Sequence, residues 1–96
     1  MSEERVEESL IAEKLPQWSY DAAADGGAIQ REMSTDDFAT ALALVNRIGT
    51  LAEEANHHPD LELGWGRVGV RLCSHDVGGV TQRDVDLAQQ IDALAS

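Results

Sequence analysis

Apolar residues recur at spacings of three and four from Phe38 to Ala55, and at a spacing of two in stretches on either side; that change of period divides the chain into elements. Phe38, Ala41, Leu42, Val45, Ile48, Leu51, Ala52 and Ala55 define a wide face of an amphipathic helix between Ser34 and His57, expected to be buried. Ser34 and Asp37 stand at the spacing of a capping box, and Asp36 and Asp37 suit the positive end of the helix dipole. Pro59 disfavours helical dihedrals at His58, so the helix is expected to stop near His57. Gly49, inside it, costs up to ~1 kcal/mol against Ala and marks a place for close packing.

Two hairpins flank this helix. Trp18, Tyr20 and Ala22 alternate with Ser19 and Asp21; Asp25-Gly26-Gly27 is a turn signal; Ile29, Arg31 and Met33 then alternate with Gln30 and Glu32. The second of these strands is too polar to be buried on both faces, so it belongs near a sheet edge or has one wet face. Glu62 to Trp65, a Gly66-Arg67 turn and Val68 to Ser74 read as the second hairpin. Val68, Val70 and Leu72 take one face, and Gly69, Arg71, Cys73 and then His75 take the other.

A helix opens the chain, capped by Ser2, with Glu3 and Glu4 in its first turn and a thin stripe of Val6, Leu10 and Ile11; Pro16 ends it at or before Leu15. Another closes it. After a Gly78-Gly79 loop, Thr81 caps a helix with Asp84 at capping-box spacing and Leu87, Ala88, Ile91 and Leu94 on its apolar face. The order α-β-β-α-β-β-α, with short antiparallel hairpins and helices on one face, predicts an α+β two-layer domain.

Residues 1–96 are enough for a single domain with a modest core, to whose stability association would add. The net charge of −11 argues against nucleic acid and anionic membrane as direct partners. The bases are six arginines and Lys14. That surplus of Asp and Glu fits a high-salt cytoplasm, where self-repulsion is screened, and fits GC-rich codon usage equally well. Cys73 stands alone, which excludes an intrachain disulfide and a structural zinc site built on thiolates. Met1 to Lys14 is acidic and lacks the apolar run of a secretory signal, and no stretch approaches the ~18 apolar residues of a membrane span. A cytoplasmic location is expected.

The chemistry concentrates between Glu53 and Asp84, which hold all three histidines, His57, His58 and His75. Histidine titrates nearest to neutral pH, so the segment invites a proton-transfer or metal-ligand reading. On a continued helix Glu53 and His57 would face each other at i and i+4. A surface pair at a helix end explains the same spacing. His58 is fixed by Pro59, or simply ends the helix. Adjacent histidines rarely chelate one ion well, and no H-E-x-x-H spacing is present, so metal is the minority reading. His75 falls at a strand end before a Gly-Gly loop and a helix N-terminus, where free N–H groups can meet a polar ring. Asp84 is explained as a cap, Trp65 as hairpin packing and Cys73 as a small buried or half-buried residue.

Together Glu53-x-x-x-His57-His58-Pro59, Trp65 six residues on, Ser74-His75-Asp76 and Asp84 resemble the signature of the pterin-4a-carbinolamine dehydratases, with weaker similarity from about Trp18 to Leu94. The resemblance implies a four-stranded antiparallel sheet with helices on one side, associating by sheet extension into a dimer, often a tetramer. It implies a lyase that dehydrates 4a-hydroxytetrahydrobiopterin, the product of an aromatic amino acid hydroxylase, to quinonoid dihydropterin. It puts His57, His58 and His75 around the pterin, with acid/base work on His57 and His75 and substrate holding on His58. Glu53, Pro59, Asp84 and Trp65 would bind or tune, and no metal or bound cofactor is required. Vertebrate members of that family also serve as dimerisation cofactors of a homeodomain transcription factor, so a non-catalytic pterin-binding or dimerisation module is the alternative.

Overall fold

Ile29, Met33, Val68, Val70 and Leu72, the alternating apolar positions of the two hairpins, are all buried, and register places them on one face of a single sheet. The computed structural model describes residues 4–22 and 27–95. Its elements run α1 (Glu8–Lys14), β1 (Ser19–Asp21), β2 (Ala28–Ser34), α2 (Phe38–Ala55), β3 (Asp60–Gly64), β4 (Arg67–Leu72) and α3 (Gln82–Ala95). The sheet order is β1-β2-β4-β3, and every neighbouring pair is antiparallel. The expected α-β-β-α-β-β-α order and α+β class are what the chain adopts.

The central pairing runs from Ile29↔Leu72 to Ser34↔Arg67. Ile11 and Leu15, then Ala41, Ile48 and Ala52, then Leu87, Ala88 and Ile91 bring all three helices into one core with that face. The opposite face is polar. Arg71 donates to Gln30 at 2.6 Å and to Asp21 at 3.2 Å, and Arg67 lies 3.7 Å from Glu32 and 3.8 Å from Glu62. β2 is therefore an inner strand with one wet face rather than an edge strand. Arg31 points to its core side, where it pairs with Asp92 of α3, whose Oδ1 also accepts Trp18 Nε1 at 2.9 Å.

Several boundaries differ from the sequence expectation, each for a tertiary reason. The first helix begins at Glu8, because residues before it are drawn into backbone pairing: Val6 N–H donates to Val80 at 2.7 Å and Arg5 bridges Thr81. The proposed cap Ser2 and most of the Asp25-Gly26-Gly27 turn lie outside the described residues. Gly27 has φ +114°, and a Cβ there would run into the Tyr20 ring. Ser34 does not cap α2, since it stays in β2 opposite Arg67; Asp37 takes that role and accepts Thr40 N–H at 2.8 Å.

The second turn is Trp65-Gly66, with Gly66 at φ +75°, and Arg67 belongs to β4. Nor is the whole apolar face of α2 buried. Phe38 and Leu42 remain 44% and 42% exposed, and beyond its own stretch of helix backbone Gly49 has no described residue within 4 Å of where a Cβ would stand, so the close packing expected there is not found among the described residues.

Candidate active site

Asp84 is fully buried at the third position of α3, and its carboxylate is the hub of the site. Oδ2 accepts the Thr81 backbone N–H at 2.9 Å, the half of a capping box that its spacing predicts. The same oxygen accepts the Ser74 hydroxyl at 2.8 Å, and Ser74 Oγ is 2.8 Å from Thr81 Oγ1. Oδ1 is left for His57, whose Nε2 lies 2.5 Å away. Asp84 thus serves as helix cap and imidazole partner at once.

The helix spacing of Glu53 and His57 does not survive. α2 ends at Ala55, and Asn56 turns the chain in the left-handed conformation, φ 51° and ψ 43°. Asn tolerates this conformation better than most residues. The turn sends His57 inward to Asp84, with its backbone N–H on Ala52 O at 3.1 Å. His58, whose backbone is restricted by Pro59, is the histidine that meets Glu53, Nε2 to Oε2 at 2.5 Å, on the exposed surface. The adjacent histidines therefore form two separate carboxylate couples, one buried and one wet. Pro59 is half-buried and leads into β3.

A carboxylate only accepts, so Nε2 of neutral His57 carries the proton and Nδ1 keeps the lone pair. Asp84 fixes this tautomer and is placed to stabilise the imidazolium once Nδ1 takes a proton. His75 follows Ser74 at the start of the 74–79 turn, exposed, its Nε2 3.5 Å from Cys73 Sγ. Next to it Asp76 accepts Arg83 Nη2 at 2.8 Å. That hydrogen bond, against some desolvation, holds the Asp76 carboxyl below its ordinary value, and the charge of Arg83 adds to the effect. The link between this turn and the buried couple is Ser74, which begins the turn and whose hydroxyl reaches Asp84.

Trp65 stands apart. It is 73% exposed at the far hairpin tip, and five residues of β3 at ~3.3 Å each separate it from the histidine end, roughly 16 Å in all. It neither packs in the hairpin nor joins His57 in the single chain. Ser74 and Asp76, which stand in the signature without a role of their own, Thr81, read only as a cap, and Arg83, not singled out at all, also enter the neighbourhood. Ser74 carried a signal: it follows Leu72 by two, a polar side chain continuing an apolar face. Among the described residues no group of three or more His, Cys, Asp or Glu is arranged to hold a metal ion, and no helix is long and apolar enough to cross a membrane.

Fold and site together define a small α+β domain with carboxylate-held histidines, a set of groups suited to proton transfer. The family model described as pterin 4 alpha carbinolamine dehydratase matches residues 1–94, and the chain belongs to that family. Curated relatives bear the provisional name pterin-4-alpha-carbinolamine dehydratase. One from Nocardia farcinica is 41% identical over 95 residues, 99% of this chain and 94% of its own length. One from Natronomonas pharaonis is 38% identical over 99% of both chains. A crystal structure titled transcriptional coactivator/pterin dehydratase, from Brucella melitensis, superposes with a TM-score of 0.85 at 31% identity, covering 97% of this chain and 100% of its own. A pterin dehydratase-like protein identified as a RuBisCO assembly factor of the alpha-carboxysome shares the fold, with a TM-score of 0.70 at 20% identity over 86% of this chain and 94% of that one.

Proposed function

We propose that the chain is a lyase that dehydrates 4a-hydroxytetrahydrobiopterin to quinonoid dihydropterin, in support of tetrahydrobiopterin recycling. The observation that carries this reading is the buried Asp84–His57 couple in a chain matched end to end by the dehydratase family. The reaction removes the proton from N5, breaks the C4a–O bond and forms a C4a=N5 double bond, while the departing hydroxide takes a proton and leaves as water. One group must accept a proton and one must give one near neutral pH. His57, with Nε2–H on Asp84, presents Nδ1 as the base. His75 is the acid that meets the leaving hydroxide. His58 and Glu53, exposed as a pair, hold and polarise the pterin, and Pro59 fixes their approach. These transfers call on side chains alone, with no metal or bound cofactor.

The substrate chemistry links the enzyme to an aromatic amino acid hydroxylase in the cytoplasm. The open edges of β1 and β3, with Phe38 and Leu42 exposed on α2, support a homodimer or homotetramer. Trp65, exposed at the hairpin tip, supports a contact with a neighbouring copy.

A second reading, a non-catalytic pterin-binding or dimerisation module, draws on the exposed Phe38, Leu42, Leu63 and Trp65. The assay that separates the two follows quinonoid dihydropterin by absorbance, with 4a-hydroxytetrahydropterin made in situ. The wild-type chain should accelerate its formation, and the folded double variant His57→Ala/His75→Ala should return it to the uncatalysed rate. A double variant that keeps most of the wild-type rate refutes the histidine assignment, and a wild-type chain without acceleration supports the second reading.

A further inference from the structure

Ser74 is 1% exposed and touches both halves of the neighbourhood. Its backbone closes the turn that carries His75 and Asp76: its carbonyl accepts N–H groups of Val77 at 3.1 Å, Gly78 at 2.8 Å and Gly79 at 3.3 Å, and its own N–H donates to Gly79 at 2.8 Å. Its side chain reaches the other way, to Asp84 and Thr81. The direction of every hydrogen in this cluster follows from chemistry. A carboxylate has none to give, so the single Ser74 hydroxyl proton lies on the 2.8 Å contact to Asp84 Oδ2. The contact between Ser74 and Thr81 must then be served by the Thr81 proton. Oδ2 is filled by two donors, and Oδ1 faces His57 as an acceptor.

We propose that Ser74 is a positioning residue for His57: acting through Asp84, it orients the carboxylate so that His57 is held with its proton on Nε2, and it couples that orientation to the turn bearing His75. The role rests on the reading of His57 as the proton acceptor. Without the Ser74 hydroxyl the carboxylate keeps the Thr81 N–H but loses its second anchor, and the Thr81 hydroxyl loses its acceptor. The carboxylate is then free to turn between its two remaining donors.

Two readouts test this on the full chain. Ser74→Ala should lower kcat by roughly tenfold or more with KM little changed, the scale of one lost hydrogen bond to a charged group. Imidazole 15N shifts should move His57 away from a pure Nε2–H tautomer in the same variant, and Ser74→Thr, which keeps the hydroxyl, should restore both. If Ser74→Ala does not fold, Ser74→Cys, a much weaker donor, carries the same measurements. A wild-type His57 tautomer in the folded Ala or Cys variant overturns the proposal, whatever happens to the rate. An unchanged kcat for His57→Ala instead strikes at the functional reading, and the tautomer of His57 in the Ser74 variants still decides whether Ser74 orients it.

Discussion

His57 and Asp84 lie 27 residues apart in the chain and 2.5 Å apart in the fold. His58, the next residue, has a different carboxylate, Glu53. The division follows from Asn56, whose left-handed backbone breaks the helical register just before the pair. One imidazole is thereby buried and fixed in tautomer, and the other is free to meet solvent or ligand.

Asp84→Asn tests the first couple. With the amide oxygen kept by Ser74 and Thr81, its NH2 faces His57 and takes the Nε2 lone pair, so the proton moves to Nδ1 and the lone pair proposed as the base is lost. The expected fall in kcat is roughly 10²-fold or more with helix content unchanged by circular dichroism. Asp84→Ala adds a stability loss, since removing the acceptor of buried donors costs about 1–3 kcal/mol. A normal kcat in folded Asp84→Asn rules out tautomer control.

The second couple makes a different prediction. Glu53 and His58 are exposed, so their pairing adds little stability. His58→Ala should raise KM while leaving kcat largely intact, the mark of a group that holds substrate and transition state equally. Glu53→Gln should shift KM the same way, and the double variant should be no worse than His58→Ala. Additive KM effects from the two substitutions count against their acting as a unit.

Much of this was legible in the chain. The alternation of Val68, Val70 and Leu72 gave β4 its buried face, and Thr81-x-x-Asp84 gave the start of α3. The gathering of histidines marked the neighbourhood. The pairing within it was not legible, because helical spacing assigns Glu53 to His57 only if the helix continues, and a single Asn in the left-handed region ends it. Its signal was the residue type, since Asn is second to Gly at such positions. The spacing of Ser34 and Asp37 made Ser34 the cap of α2, but Ser34 is kept in β2 by pairing with Arg67, on a strand 33 positions beyond it, and Asp37 caps instead. Arg5 and Val6 read locally as helix and are extended because Val80 and Thr81 pair with them.

Asp37 carries a pH prediction. The hydrogen bonds from Thr40 hold its carboxyl below the ordinary value of 3.8. A folded value below the unfolded one means that the cap stabilises α2 fully above pH 3.8 and that this contribution is lost as pH falls through the folded value. Asp37→Ala should therefore melt below wild type at neutral pH, with the gap closing well under pH 3.8. Asp37→Asn, a cap without a charge, should melt near wild type at neutral pH and show less acid sensitivity. A gap between wild type and Asp37→Ala that is constant with pH contradicts the account.

Salt should act on the whole molecule. The net charge is −11, and both folding and association bring those charges together. Screening shortens the reach of the repulsion, from about 10 Å at 0.1 M to about 3 Å at 1 M ionic strength. The melting temperature is therefore expected to rise from low to molar salt. If stability is linked to assembly, it should also rise with protein concentration, because a partner that binds only the folded chain stabilises it by mass action. Light scattering at micromolar protein should give the mass of a dimer or tetramer in high salt. Leu42→Glu, which puts a carboxylate among the exposed apolar residues of α2, should lower that mass where those residues form part of the contact. A melting temperature flat across the salt range removes the electrostatic argument, and a monomer at high salt removes the assembly.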